Sequence, residues 1–176
     1  LQKELDLGHS VDNFKLENFI LSGEISLKRE TRQGRNVLAR LAGDPASKYV
    51  VVVGAHVDHL GQGNHSSSLA HTIKEDAIHH GADDNASGTA IMLALAKVFS
   101  DEKKEHPKAL QNDILFAAWS GEEIGILGSQ HFVNTLTHSK DSRTMTDGKK
   151  IIAYINMDMV GRLREKLVLQ GIGSSS

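Results

Sequence analysis

Histidine and carboxylate side chains stand at four places along this chain of 176 residues. They are His56 with Asp58, then Asp84, then the pair Glu122 and Glu123, and finally Asp158. Each of them alone is more often a solvated acid, a helix cap or a hydrogen-bonded histidine. Carboxylates that converge on one place, however, repel one another unless a cation neutralises them. Histidine with carboxylates and no thiolate suits zinc, cobalt or manganese in a hydrolytic site.

The spacing within these groups indicates separate chemical roles. His56 and Asp58 are two residues apart, so on an extended segment their side chains face the same side. A carboxylate in that position can hold the second ring nitrogen of a metal-bound imidazole. Glu122 and Glu123 are adjacent, so one can bind a metal while the other moves the proton of an activated water. The pattern therefore predicts metal-dependent hydrolysis.

Buried strands and helices alternate along the chain and must position these residues. Continuous apolar runs predict strands over 49–54, 114–119 and 151–156, each ending just before one of the polar groups. Further strands are predicted over 24–28, 36–41 and 166–170. Helices are predicted over 86–100, with Ser87 as a possible cap, and within 126–136; the charged run 101–108 is predicted to be a loop. Ligands of open α/β sheets bind beyond the carboxyl ends of the strands, where these residues would meet.

The composition excludes several other classes of protein. The hydrophobic fraction is 39%, the charged fraction 24% and the net charge -2, which fits a globular domain and favours no nucleic-acid partner. No apolar run approaches the roughly 20 residues of a membrane helix. There is no cysteine, so neither disulfides nor a thiolate metal site are available. The sequence also lacks the motifs of serine hydrolases, of helical zinc proteases and of phosphate-binding loops.

Four segments resemble, in order, the motifs of a family of co-catalytic dizinc metallopeptidases. They are His56–Gly61 (HVDHLG), Gly81–Gly88 (GADDNASG), Trp119–Gly125 (WSGEEIG) and Asn156–Gly161 (NMDMVG). This family includes bacterial leucine aminopeptidases, glutamate carboxypeptidase and the transferrin receptor. The resemblance implies an α/β fold: a mixed, mostly parallel sheet with helices on both faces, a three-layer sandwich whose C-terminal part lies outside this chain.

The resemblance also implies a role for each of the six residues. Asp84 would bridge two zinc ions, His56 and Asp158 would complete one site, and Glu123 would bind the second ion. Glu122 would be the general base and acid, and Asp58 would orient His56. The implied activity is that of a zinc-dependent exopeptidase, an aminopeptidase acting on peptides.

One departure from the family pattern concerns the second zinc site. The family places a further histidine well downstream of the Asn-Met-Asp motif, and no histidine follows His138 here. The chain is therefore expected to be the first part of a catalytic domain over 36–176. Residues 1–35 would be edge strands or a connection from a preceding, protease-associated domain. A location outside the cytoplasm, secreted or periplasmic, follows only from the family.

Two other functions remain open on the same scaffold. A glutaminyl cyclase-like enzyme would use a single zinc, and a receptor-like module would bind without catalysis. The histidine-rich segment 62–80, with His65, His71, His79 and His80, is expected to be a surface loop, although a metal tract is conceivable.

Overall fold

The computed structural model describes residues 7–8, 22–27, 31–62, 77–136, 144–162 and 168–171. The chain divides into two compact units, Leu1–Arg32 and Gln33–Ser176. No helix or strand occurs in the described part of the first unit. The strand predicted over 24–28 is therefore wrong for residues 24–27, while residue 28 lies outside the described part. Ile25 and Leu27, whose alternation suggested a strand, are both exposed, so no sheet face buries them.

The second unit contains six strands and two helices within its described residues. In chain order they are β1 (Val37–Leu41), β2 (Tyr49–His56), β3 (Gly61–Gln62), β4 (Ile78–His79), α1 (Ala86–Glu105), β5 (Asp113–Trp119), α2 (Leu127–Leu136) and β6 (Lys150–Asn156). The main sheet has the order β1-β5-β2-β6; β5, β2 and β6 are parallel and β1 is antiparallel to β5. The predicted mixed, mostly parallel sheet is confirmed. β3 and β4 form a separate antiparallel pair.

Both faces of the central strands β2 and β5 are covered, which explains their continuous apolar runs. The edge strand β6 was also predicted to be buried, and that prediction is wrong: all but its first two residues are exposed. On one face Val50 and Val52 of β2 belong to a buried cluster against which Phe132 of α2 packs. On the other face Val53 lies in a cluster with Met92 of α1. Alternate residues of β2 therefore contact opposite helices, and the predicted layer of helices on each face is confirmed.

Helix α1 begins and ends differently from the prediction. Its N-cap is Asn85, whose side chain accepts a hydrogen bond from the backbone of Gly88, so the prediction of Ser87 as the cap is wrong. The helix also continues through residues 101–105, which were predicted to be a loop. Asp101 pairs there with Lys97 and Lys104 at helical spacing, an arrangement that stabilises a helix. Residues 101–105 thus form the end of α1, whereas residues 106–108 of the charged run lie outside the helix, as predicted.

Residues 168–170 are described and form no strand, with Val168 and Leu169 exposed, so that part of the predicted strand 166–170 is wrong; residues 166–167 lie outside the described part. No helix in the described ranges is both long and apolar enough to cross a membrane.

A buried ion-pair network occupies the start of β5, at the opposite end of that strand from Glu122 and Glu123. Asp113, which is 1% exposed, accepts hydrogen bonds from Arg40 at 2.6 Å, Lys149 at 2.8 Å and the backbone of Gly43 at 2.9 Å. Burial by itself would raise the pKa of Asp113, but these three donors outweigh it and lower the pKa from 3.8 to about 2.

We expect Asp113→Asn to lower the free energy of unfolding by about 2 kcal/mol at neutral pH, as the lowered pKa implies. Because the folded-state pKa is depressed, the stabilisation is present above pH ~4 and is lost as the pH falls towards ~2. Urea unfolding of wild type and variant at several pH values measures this. Asp147→Asn, at the exposed partner of Arg40, should cost less than about 1 kcal/mol. Equal losses in the two variants, or a loss independent of pH, would contradict the prediction.

Candidate metal centre

The carboxyl ends of three parallel strands and the start of α1 bring all six predicted residues to one edge of the sheet. His56 is the last residue of β2 and Asp58 follows that strand, Glu122 and Glu123 follow β5, Asp158 follows β6, and Asp84 precedes α1. This convergence follows from the parallel topology, because the strands end on the same edge.

The first group of possible metal ligands consists of His56, Asp84 and Asp158. His56 Nε2 lies 3.1 Å from Asp84 Oδ1 and 3.5 Å from Asp158 Oδ1. Ligands held at about 2.0–2.2 Å from a tetrahedral zinc ion are separated by roughly these distances. His56 Nε2 and Asp84 Oδ1 are buried and have no hydrogen-bond partner among the described residues. Two buried polar atoms this close together, with no hydrogen bond between them, fit a shared cation.

A second group shares Asp84 with the first and consists of His59, Asp84 and Glu123. His59 Nδ1 lies 2.6 Å from Glu123 Oε1 and 3.8 Å from Asp84 Oδ1. The sequence pattern gives His59 no role. Its only signal is its position three residues after His56, and that spacing alone does not show that the ring reaches Glu123. In a third combination, ligand atoms of His56, Glu122 and Glu123 also lie within 4.8 Å of one another.

Asp58 contacts both His56 and the loop that carries Glu122. The Nδ1 atom of His56 lies 2.9 Å from the backbone carbonyl oxygen of Asp58 and 3.7 Å from its carboxylate. That carboxylate instead accepts a hydrogen bond from the backbone N–H of Glu122 at 3.3 Å. The backbone of Asp58 therefore directs the ring, leaving Nε2 towards Asp84, and its side chain connects the ends of β2 and β5.

Residues beside Asp84 fasten the loop that contains Asp158. The amide of Asn85 donates to the carbonyl of Met157 at 3.0 Å, and Asp83 accepts from the backbone of Gly161 at 2.8 Å. A Cβ at Gly88 would lie 2.3 Å from the carbonyl oxygen of Met157, so this approach requires glycine. The sequence pattern indicates the motifs but not these links, which depend on contacts more than seventy residues apart along the chain.

The charges of the cluster change the proton affinities of two of its members. Burial raises the pKa of Glu122, and the charges of Glu123, Asp158 and Asp84 raise it further, against the opposing effect of His56. Burial lowers the pKa of His56, but Asp158, the carbonyl of Asp58 and the other carboxylates outweigh it, so the net shift is upward. The neighbouring carboxylate charges contribute to both upward pKa shifts, and a cation bound among them would relieve their mutual repulsion.

A cavity of about 340 Å³ opens beside the second group. Its lining includes His59 and His80 and the apolar side chains of Val57, Ala86 and Leu93. Of the histidine-rich segment, His65 and His71 lie outside the described residues. His79 and His80 are described, and neither belongs to a group of possible metal ligands.

Most of the chain is similar to known peptidases. The model of peptidase family M28 matches residues 36–176. A probable leucine aminopeptidase 2 of Arthroderma benhamiae is 31% identical over 156 residues, which are 85% of this chain and 26% of that protein. An aminopeptidase of Pseudomonas aeruginosa is 33% identical over 139 residues, 78% of this chain and 20% of that protein. The chain thus spans about a quarter or less of the length of these relatives.

Proposed function

Since the chain belongs to peptidase family M28, we propose that it carries the metal-binding part of a zinc-dependent exopeptidase, an aminopeptidase that removes N-terminal residues from peptides. The observation that supports this most directly is the pair of ligand groups that share Asp84. Carboxylate sharing of this kind is what a two-metal hydrolase needs, because two ions then lie close enough to act on one substrate bond.

The ligand atoms divide naturally between two ions. We assign His56 and Asp158 to the first ion, Glu123 to the second, and Asp84 to both. When bound, zinc would supply Lewis acidity towards the attacking water and the scissile carbonyl. The protein's own contribution is to hold these side chains in place, through the carbonyl of Asp58 on His56 and through Asn85 on the loop before Asp158.

Glu122 is proposed as the group that moves protons. Its carboxyl group would accept a proton from the attacking water and return it to the leaving amine. The hydrogen bond from the backbone of Glu122 to Asp58 supports this role, because it holds the Glu122 backbone next to the loop that orients His56. The cavity beside the second group offers apolar surface and room for a side chain of the peptide.

The two other functions predict different results in the same assays. A glutaminyl cyclase-like enzyme would hold one zinc per chain, and a binding module would hydrolyse nothing. The second ligand group favours two ions, and the presence of Glu122 beside both groups favours catalysis. A secreted or periplasmic location is proposed from the family alone.

Zinc removal from the full-length protein tests the proposal. We expect about two zinc ions per chain by elemental analysis, as a two-metal site requires, and hydrolysis of leucine p-nitroanilide. Dialysis against a chelator should abolish hydrolysis, and added zinc should restore it. N-acetyl-leucine p-nitroanilide is the matched control, since an aminopeptidase needs the free amine. A protein that binds no zinc, or that cleaves both substrates equally, would contradict the proposed function.

A further inference from the structure

We propose that His59 supplies an imidazole nitrogen to the second metal site, together with Asp84 and Glu123. This inference deepens the proposed function and rests on it. It assigns a ligand to a site for which the resemblance to the family implies a histidine from far downstream in the sequence. His59 would contribute a nitrogen donor from the segment immediately after β2, whether or not a downstream histidine also binds.

Three possible ligand atoms from different residues lie close together around one position. His59 Nδ1, one oxygen of Asp84 and one of Glu123 all lie within 4.8 Å of one another. Atoms at that separation can be reached by one ion with only small side-chain rotations, since each lies about 2.0–2.2 Å from a bound zinc. Asp84 is the member common to both groups, so a metal held by His59 would neighbour the one held by His56.

The surroundings of His59 hold its ring in this position. A Cβ on Gly81 would lie 2.9 Å from the Cβ of His59, so the backbone before Asp84 packs directly against this residue. The ring also makes an edge contact with His79, with 6.3 Å between the ring centroids. His59 is 22% exposed and Glu123 14%, so both are partly withdrawn from solvent, as ligands usually are. The contact therefore belongs to the folded loop and not to a freely rotating surface side chain.

The coordination chemistry agrees with this assignment. Catalytic zinc sites take three protein ligands and leave a position for water or substrate. His59, Asp84 and Glu123 meet that number with one nitrogen and two oxygens. A further histidine from downstream could be added, because zinc can expand its coordination beyond four.

The competing interpretation is that His59 only donates a hydrogen bond to Glu123, and two substitutions separate the alternatives. His59→Ala removes both the possible metal ligand and the possible hydrogen bond to Glu123. His59→Asn keeps an N–H donor near the position of Nδ1, but an amide nitrogen does not bind metal. His80→Ala is the matched control, because His80 lines the same cavity and belongs to no ligand group.

The experiment is a zinc titration of the full-length metal-free protein, repeated with cobalt and followed by visible absorption. We expect both His59 variants to bind the second equivalent of zinc at least about 100-fold more weakly than the wild type. Residues that only orient a ligand typically cost less than this. The cobalt spectrum of the second equivalent should change in both. The first equivalent, held by His56 and Asp158, should bind as in the wild type and so shows that the variants fold.

Two results would overturn the inference. One is wild-type affinity for both equivalents in His59→Ala; the other is a second equivalent restored in His59→Asn, which would leave only a hydrogen-bonding role. Either result leaves the proposed function intact if the wild type binds zinc and hydrolyses leucine p-nitroanilide. A wild type that binds no zinc would instead contradict the proposed function itself.

Discussion

Replacing Glu122 with glutamine should lower kcat for leucine p-nitroanilide by about 10²–10⁴-fold while the zinc content stays at its wild-type value. The reason is that a carboxamide of nearly the same shape cannot accept and return a proton. A general acid–base group typically contributes a factor of about 10²–10⁴ to the rate. In the proposed arrangement Glu122 holds no metal, so both ions should remain. Steady-state kinetics and elemental analysis on the same preparation measure both quantities.

Glu102→Gln provides the control for this prediction. Glu102 lies on α1, about half exposed, and undergoes the same chemical change far along the helix from the cluster. Its kcat should match the wild type. The structure also permits a group in which Glu122 joins His56 and Glu123 as a ligand. If Glu122→Gln loses a zinc ion, that group is the correct one and Glu122 is not the proton carrier.

The main sheet and the edge that carries the site could be predicted from sequence because both depend on patterns within short segments. A strand covered on both faces reads as a continuous apolar run, as in β2 and β5. Parallel strands then bring their carboxyl ends to one edge whatever the details of the packing. The convergence of His56, Glu123 and Asp158 needed nothing more than this topology, and Asp84 joins them because α1 begins at the same edge.

The C-terminal end of α1 could not be predicted from local sequence patterns in the same way. Residues 101–105 have the composition of a solvated loop, and also that of an exposed last helical turn. What decides between them is the pairing of Asp101 with Lys97 and Lys104, which forms only if the turn is already helical. The strand predicted over 24–28 was wrong for residues 24–27, because an alternating apolar pattern without a neighbouring strand to pair with buries nothing.

The contacts of His59 also lie beyond local patterns. Its ring meets Glu123 across 64 residues of sequence, and the loop before Asp84 packs against it from another direction. A second histidine close after His56 has many possible partners until β5 is placed beside β2. The links from Asn85 and Asp83 to the loop after β6 are of the same kind.

Asp84→Asn should weaken the binding of both zinc equivalents, by more than about 100-fold each, and abolish hydrolysis with them. Asp84 belongs to both the group with His56 and the group with His59, so the loss of its charge removes a ligand from each. The buried Oδ1 of Asp84 has no hydrogen-bond partner among the described residues, and it lies 3.1 Å from Nε2 of His56, as two ligands of one ion would. Loss of a ligand exceeds the 10–100-fold that orienting residues contribute. Zinc titration of the metal-free variant measures the effect.

Asp83→Asn is the natural comparison, because it makes the same change at the neighbouring position. The Asp83 carboxylate accepts from the backbone of Gly161 and pairs with Arg162, and it belongs to neither ligand group. Asp83→Asn should reduce zinc affinity by less than about 10-fold, because Asp83 affects only how firmly the loop around the ligand Asp158 is held. If Asp84→Asn lost one equivalent and kept the other, Asp84 would serve a single ion. Equal losses in the two variants would mean that negative charge near α1, and not direct binding by Asp84, holds the metals.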